Sequence, residues 1–185
     1  MVKVLSNFDT NFPKDILEKY SALYGTPNVI FVRRSVIYIL YKIILPLLLR
    51  LLLVIGLLYI SINYLSNIAI FLERIVLIAL IISGTFIIRN VIKHVTDYFL
   101  DFTIITPRFI MEYDQMGVFS RVARSLDVKK IKAIKVDKKG FLKSLFNYGN
   151  IFFYGEGDEA IPDIWLYYIY DPLTLRDKIS RLIHI

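Results

Sequence analysis

The sequence predicts an α+β membrane protein, in which a two-helix transmembrane hairpin is followed by an antiparallel β-barrel with a C-terminal capping helix. Three observations support this prediction: a strongly apolar middle region, period-two alternation after it, and an amphipathic segment at the end. Hydrophobic residues make up 56% of the chain, which is high for a soluble domain. The apolar excess predicts three regions: a cytoplasmic N-terminal segment at 1–34, the hairpin at 35–94 and a C-terminal domain at 95–185.

The N-terminal segment mixes charged and apolar residues and lacks the continuous apolar stretch of a signal peptide, so we expect it to be retained. Phe12 and Pro13 begin a predicted short amphipathic helix. Gly25 to Asn28 form a predicted turn that closes this helix.

Two apolar stretches, Ile43 to Ile62 and Ile68 to Ile88, each supply about the 20 residues that a bilayer crossing needs. The polar turn between them is short, so the two spans must be antiparallel and both termini must lie on one side. The basic residues that flank the pair on that side are Arg33, Arg34, Lys42, Arg89 and Lys93. The positive-inside rule therefore predicts a multi-pass protein of the cell inner membrane with both termini in the cytoplasm.

Arg50 is the residue of the first span that needs an explanation, because a charge inside the bilayer is costly. One hypothesis is that Arg50 extends its guanidinium toward the cytoplasmic phosphates, on the side of Lys42. The other is a buried partner, and since a pair with Glu73 of the same hairpin would be strained, this means an intersubunit pair or a lipid phosphate. Arg50 is thus a candidate lipid- or partner-binding residue.

Period-two alternation begins at Asp97 and predicts a half-buried strand that reaches Ile105, with Asp97 and Asp101 facing outward. Further strands are predicted at 109–114, 118–126, 131–136, 151–154 and 164–170, with turn residues between most of them. Short antiparallel strands at this spacing indicate a closed or nearly closed barrel or a sandwich.

A final helix is predicted to begin at Asp171 and Pro172, because Asp favours the N-cap and Pro the first turn. Its apolar face consists of Leu175, Ile179, Leu182 and Ile183. A helix of this kind can cover the mouth of a barrel.

Aromatic residues, among them Phe141 and Phe146, are frequent in the final third, and most of the set is expected in the core or in cross-strand pairs. In the last strand, alternation puts Trp165, Tyr167 and Ile169 on one face and Ile164, Leu166, Tyr168 and Tyr170 on the other. Both faces are apolar, so one must contact something outside the barrel core. The membrane surface, the N-terminal segment, another subunit and a partner protein all stay open.

Several short segments match the pattern of one protein family in order along the chain. They are Val32 to Ser35 before the first span, Tyr98, Thr106 and Arg108 at the first hairpin, Gly117 to Arg121 at the second, Ile131, Ile134 and Val136 in the middle strand, Leu142 to Gly149, and Asp171 with Pro172. Together they resemble the bacterial PH-like family of membrane-flanked proteins, in which two transmembrane helices precede a PH-type barrel. The resemblance implies a PH-like fold for the C-terminal domain. Asp127 stands where the family often has Pro, and Asn147 where it often has Gly.

The sequence offers few residues for catalysis or metal binding. The absence of cysteine excludes disulfides, thiolate nucleophiles and thiolate metal sites. His94 and His184 are too isolated to indicate a metal site or a Ser-His pair. Asp158 and Glu159 fit no calcium motif and favour a polar hairpin turn. We therefore predict a non-enzymatic protein without cofactor or metal.

Seven lysines lie in one short stretch and form the candidate lipid- or partner-binding surface. They are Lys129, Lys130, Lys132, Lys135, Lys138, Lys139 and Lys143. Such a run is often only a solubilising face, but near a bilayer each basic residue contributes about 1 kcal/mol of attraction to anionic headgroups. The resemblance does not imply a phosphoinositide ligand, because PH-like barrels also serve purely in protein contacts. The lysines fall on both faces of the predicted strand, which predicts a diffuse patch and not a pocket.

These observations lead to three hypotheses about function. The leading one is a membrane-anchored scaffold or subunit of a membrane protein assembly at the cytoplasmic face, with a protein partner or a homo-oligomer. The second is binding or sensing of anionic phospholipid headgroups through the lysines. The third is a subunit of a transport or lipid-handling assembly in which Arg50 lines a polar path. Nucleic-acid binding is disfavoured, since no recognition motif accompanies the lysines.

Overall fold

The computed structural model describes residues 11–60, 70–115, 120–156 and 161–183. The chain divides into two compact units, which we call the sheet unit, residues 1–38 with 96–185, and the helical unit, residues 39–95. The described residues before position 38 thus belong to the same unit as the C-terminal strands.

The first apolar stretch forms one helix, Ile37–Ile60, of 24 residues and mean hydropathy 2.7. It consists of α2 (Ile37–Ile39), a π-helical stretch (Leu40–Ile44) and α3 (Leu45–Ile60). None of its most apolar window is buried, which is the reverse of a soluble core helix. By length and composition, this is the one helix within the described ranges that could cross a membrane.

The second apolar stretch belongs to α4 (Ile70–Leu100), a helix of 31 residues. The start of the predicted second span at Ile68, and the predicted polar turn before it, lie outside the described residues. The second span therefore stays a prediction.

Helix α4 continues to Leu100, so the predicted strand from Asp97 to Ile105 is wrong in its first half. Thr96, Asp97 and Leu100 are buried, which is the spacing of one helical face. The backbone N–H of Asp101 also donates to the Asp97 carbonyl at 3.0 Å and extends the helical pattern. Four residues are too few for alternation to distinguish a strand from a helix.

One sheet has four antiparallel strands in the order β1-β2-β3-β4. They are β1 (Ile30–Arg33), β2 (Phe102–Ile105), β3 (Phe109–Gln115) and β4 (Arg121–Asp127). The predicted turn between β2 and β3 is closed by Thr106, whose hydroxyl accepts from the backbone N–H of Phe109 at 3.0 Å. Strand β1 is not among the predicted strands; it pairs with β2 and places Arg33 opposite Phe102.

The other sheet has three antiparallel strands in the order β5-β6-β7. They are β5 (Ala133–Asp137), β6 (Tyr148–Tyr154) and β7 (Ile164–Tyr170). The short helix α5 (Phe141–Leu145) connects β5 and β6. The bounds of β7 agree with the sequence prediction.

A β-bulge in β7 changes which side chains reach the core. Gly149 pairs with Ile169, but Ile151 pairs with Leu166, so two residues of β7 oppose one of β6. Tyr168 lies at the bulge with φ 58°, and its backbone N–H donates to the Asn150 side chain at 3.2 Å. The bulge reverses the alternation, and Ile169 is therefore buried with Leu166. The predicted placement of Ile169 on the Trp165 face is wrong for this reason.

The core lies between the two sheets and is completed by α6 (Pro172–Ile183). Ile179 and Ile183 are buried, and Leu175 and Leu182 pack against them, so the predicted apolar face of the final helix is confirmed. Within the described residues the strands form two separate sheets, so the predicted closed barrel is not observed there. The architecture is α+β, with antiparallel sheets and a C-terminal helix.

The predicted N-terminal helix is α1 (Phe12–Tyr24), with Pro13 in its first turn. It ends at Gly25, which has φ 82°, and a 3-10 turn (Thr26–Asn28) follows as the sequence predicts. The ring of Phe12 lies edge-on to Phe102 of β2 at 5.9 Å between centroids. These contacts attach α1 to the four-stranded sheet.

Candidate functional site

The chain leaves the sheet unit and returns to it at neighbouring positions. Arg33, the last residue of β1, pairs directly with Phe102, the first residue of β2. Tyr38 follows β1 and Asp97 precedes β2 in the sequence, and the Tyr38 hydroxyl donates to the Asp97 carboxylate at 3.3 Å. The two ends of the segment between Tyr38 and Asp97 are therefore in contact.

Five side chains form a polar group at this point, which we call the junction cluster: Arg34, Tyr38, Asp97, Asp101 and Asp114. The Arg34 guanidinium lies 2.6 Å from the Asp101 carboxylate and 3.8 Å from that of Asp114. Its carbon atom also lies 4.7 Å from the centre of the Tyr38 ring, as in a cation–π contact. Arg34 thus joins the end of β1, the start of the apolar helix and strand β3.

The sequence prediction that Asp97 and Asp101 face outward is wrong. Asp97 is 7% exposed and Asp101 is 5% exposed. Because α4 continues through Asp97, these residues follow helical and not strand spacing. Asp101 also accepts a hydrogen bond from the backbone N–H of Gln115 at 2.7 Å, which holds it against β3.

In the ion pair between Arg34 and Asp101, the guanidinium does not fully offset the effect of burial on the carboxylate. Burial raises the pKa of Asp101 to about 7, and the nearby Arg34 guanidinium offsets only part of this rise. Burial in a low-dielectric site disfavours a carboxylate until its partners compensate fully. Asp101 is therefore a group of the junction cluster that changes its charge near neutral pH.

Aromatic side chains surround the junction cluster. The Tyr38 ring stacks on Tyr98 and lies edge-on to Tyr168, with centroid distances of 6.5 and 5.3 Å. The backbone N–H of Ser35 donates to the Tyr168 carbonyl at 2.7 Å. Tyr168 of β7 thus contacts Ser35 and Tyr38, which follow the predicted N-terminal segment 1–34, so this contact is none of the four left open for β7. The sequence carried no local signal for it, since the partners are distant in the chain.

A second ion pair lies within the four-stranded sheet, and its arginine also contacts an aromatic ring of the other sheet. Arg124 of β4 lies 3.0 Å from the Glu112 carboxylate of β3, and its guanidinium lies 4.6 Å from the centre of the Trp165 ring in β7. Burial raises the pKa of Glu112, while the hydrogen bond from Arg124 lowers it. Arg124 thus neutralises a buried acid and stacks on an aromatic ring at once.

The cavity beside these groups is too small to be an active site. Its volume is about 30 Å³, and its lining includes Arg34, Asp101, Glu112 and Trp165. Such a volume holds one or two waters and no organic substrate. Among the described residues no group of three or more histidines or carboxylates could hold a metal ion. Asp158, Glu159 and His184 lie outside the described residues.

Five of the seven candidate lysines fall into two groups at opposite ends of β5. Lys129 and Lys130 lie in an exposed 3-10 turn before the strand. Lys138, Lys139 and Lys143 follow the strand. A five-residue strand separates its ends by roughly 13 Å. The exposed Lys132 and Lys135 lie before and within the strand.

The second lysine group is partly held in place by polar partners. Lys143 of α5 lies 2.6 Å from the Asp137 carboxylate, and Lys138 donates to the Asn147 side chain. The hydrogen bond from Lys143 lowers the pKa of Asp137. Lys139 is exposed beside them.

An exposed apolar ridge lies between these lysines and β6. The ridge consists of Phe141, Leu142, Leu145 and Phe146, of which Phe141 is 79% exposed and Leu145 is 61% exposed. Phe141 and Phe146 are therefore exceptions to the expectation that most of the aromatic residues lie in the core or in cross-strand pairs. Their hydrophobicity could be read from the sequence, but the turn geometry that exposes them could not.

Arg50 lies within α3 and is half-exposed. No ion pair of Arg50 occurs among the side chains that the structure describes, and the side chain of Glu73 is not one of them. Both hypotheses for Arg50 therefore stay predictions.

The comparisons with known proteins add one structural similarity. No family model and no curated protein matches the sequence. A crystal structure of a DUF1696 family protein with a pleckstrin-homology domain, from Shewanella loihica PV-4, is similar with a TM-score of 0.37 and 15% identity. The match covers 45% of this chain and 70% of that chain. A similarity at this level carries no functional assignment.

Proposed function

We propose that the chain is a non-enzymatic PH-like module, anchored by a two-span hairpin, that acts as a scaffold or subunit of a membrane protein assembly at the cytoplasmic face. The observation that carries this proposal is the direct pairing of Arg33 with Phe102. It puts the beginning and the end of the apolar segment next to each other.

This pairing requires an even number of bilayer crossings in the segment between β1 and β2. A segment whose two ends meet in one folded unit begins and ends on the same side, so it crosses an even number of times. If helix Ile37–Ile60 crosses once, a second crossing must follow before Asp97. The apolar part of α4 supplies the residues for it.

The PH-like assignment is supported by the order of the elements. Within the described residues, strands β2 to β7 and the C-terminal helix α6 follow the helical unit, and β1, which precedes that unit, completes the four-stranded sheet. The family that the sequence resembles has this order after its membrane helices. We propose a PH-like fold type and not a closed PH barrel, because the strands form two separate sheets.

The scaffold role is supported by the outer face of the β5-β6-β7 sheet. Phe152 lies opposite Trp165, and its ring lies edge-on to Tyr167 at 6.0 Å between centroids. Tyr167 is exposed. Aromatic side chains that stay partly exposed in the folded unit are typical of protein interfaces.

A second function, contact with anionic phospholipid headgroups, is favoured by the exposed lysines. Lys129, Lys130, Lys132, Lys135 and Lys139 are exposed, and no ion pair of these five occurs within the described ranges. Charges that are not neutralised within the protein attract an anionic surface.

Cysteine labelling tests the hairpin, because the chain has no cysteine of its own. A membrane-impermeant maleimide added to intact cells should label Ser66→Cys in the predicted outer turn. It should leave Ser120→Cys unlabelled until the membrane is opened. Labelling of Ser120→Cys in intact cells contradicts the proposed orientation.

Photocrosslinking tests the scaffold role. A photoreactive amino acid at Tyr167 should crosslink to a defined protein or to a second copy of this chain. The matched control is the same group at Leu23, an exposed residue of α1. Equal crosslinking at both positions contradicts a specific interface on the β5-β6-β7 sheet.

A further inference from the structure

The apolar ridge on α5 presents large hydrophobic side chains to the surroundings of the sheet unit. Phe141, Leu142, Leu145 and Phe146 are all at least 40% exposed. None of the four belongs to the core cluster, which consists of residues of the strands, of the 3-10 turn before β5 with its following residue, and of α6. Contiguous exposed apolar residues of this size indicate a surface that binds a partner or a membrane.

Backbone hydrogen bonds and one ion pair fix the position of the short helix that carries the ridge. Gly140 precedes it with φ 115°, a conformation that favours glycine. The backbone N–H of Ser144 donates to the Gly140 carbonyl at 3.1 Å, and that of Phe146 to the Leu142 carbonyl at 3.1 Å. The ion pair from Lys143 to Asp137 fastens the helix to the end of β5. The backbone that carries the exposed side chains is therefore already helical before any binding.

The charges next to the ridge favour a membrane over a protein surface. Lys138, Lys139 and Lys143 lie beside it, and Asp137, which pairs with Lys143, is the one acidic residue of the sequence from 128 to 155. Aromatic and leucine side chains next to lysines match the boundary between acyl chains and anionic headgroups. A stable protein interface uses about 20–30 residues on each side, whereas this ridge has four apolar residues.

We infer that α5 inserts into the interface of a bilayer that contains anionic phospholipid. Phe141 and Leu145 enter the boundary of the acyl chains, and the adjacent lysines contact the phosphates. This inference rests on the proposed membrane anchor, which keeps the sheet unit close to a bilayer. It adds an apolar contact to the electrostatic attraction that the lysines alone provide.

Tryptophan fluorescence tests the insertion, since the chain has a single tryptophan. Full-length Trp165→Phe protein with Phe141→Trp as the reporter is placed in nanodiscs of phosphatidylcholine and phosphatidylglycerol. Bromine on the lipid acyl chains should quench the reporter strongly, and aqueous iodide should quench it weakly. The matched control is Leu23→Trp in the same background, at another exposed apolar position, and iodide should quench it more than bromolipid does.

Three outcomes overturn the insertion. A reporter at position 141 that iodide quenches and bromolipid does not is in water. One that neither agent quenches is covered by protein. Equal bromolipid quenching at positions 141 and 23 means that the lipid contact is not specific to α5.

A matched pair of charge variants tests the role of the adjacent lysines. In the Phe141→Trp protein, Lys138→Gln with Lys139→Gln should reduce bromolipid quenching at low salt. Lys129→Gln with Lys130→Gln removes the same charge at the other end of β5 and should reduce it less. Equal effects overturn the local role of the lysines beside the ridge.

The insertion and the anchor can fail separately. If cysteine labelling supports the hairpin while position 141 is quenched only by iodide, the insertion alone is wrong. If Ser120→Cys is labelled in intact cells, the proposed orientation is wrong, whatever the quenching shows.

Discussion

Replacing Asp101 by Asn should change how the stability of the protein depends on pH. Asp101 is 5% exposed and lies 2.6 Å from the Arg34 guanidinium. Burial raises its pKa from 3.8 in the unfolded chain to about 7 in the folded protein. Between these two values the folded state binds a proton that the unfolded state has released. The free energy of unfolding must therefore fall as pH rises through this window.

The size of the effect follows from the shift. A difference of one bound proton changes the free energy of unfolding by about 1.4 kcal/mol for each pH unit. Over the window from 3.8 to about 7 the contribution of Asp101 falls by roughly 4 kcal/mol. An asparagine side chain cannot titrate, so the Asp101→Asn variant lacks this contribution at every pH.

The fluorescence of Trp165 provides the assay, because this single tryptophan lies in the sheet unit. Unfolding of the full-length wild type and the Asp101→Asn variant is measured in detergent micelles from pH about 4 to about 8. The difference in stability should shift progressively in favour of the variant as pH rises. Asp114→Asn is the matched control, since it removes the other carboxylate next to Arg34 at a more exposed position. Parallel pH profiles for wild type and Asp101→Asn would refute the proposed cause.

Three further changes test other contacts. Arg124→Leu leaves the buried Glu112 carboxylate without its ion pair, so unfolding should become easier by about 3 kcal/mol, and the emission of the adjacent tryptophan should shift. Gly149→Ala puts a Cβ atom 2.6 Å from the Asp137 carbonyl oxygen, and denaturant unfolding should show a loss of about 2 kcal/mol. Arg50→Lys should keep oligomer size and thermal stability in detergent better than Arg50→Leu if Arg50 reaches the phosphates. Equal losses in the two Arg50 variants indicate a bidentate partner.

The elements with strong local signals could be predicted from the sequence. The strand Ile164–Tyr170 is bounded by turn residues and rich in aromatic and β-branched side chains, and its predicted ends agree with the structure. The final helix has a proline in its first turn and a clear apolar face. In both segments, propensity and hydrophobic pattern agree with the tertiary structure.

The features that depend on distant residues could not be predicted. Strand β1 has four residues, and its partner β2 lies on the other side of the helical unit in the sequence. Asp101 is buried only because Arg34 and the backbone of Gln115 compensate it. The position of Ile169 depends on a bulge that the period-two pattern does not contain. Each of these outcomes is decided by a contact outside the local window.

The pairing of Arg33 with Phe102 also imposes an order of events during biosynthesis. Strand β1 emerges from the ribosome first, but its partner β2 emerges only after residues 39–95 have been translated. Because synthesis proceeds at about 5–20 residues per second, β1 waits for several seconds with its backbone hydrogen-bonding groups exposed to water or to a chaperone. The four-stranded sheet can close only when the apolar segment is complete. Closure of this sheet thus marks a chain whose helical segment has already left the ribosome.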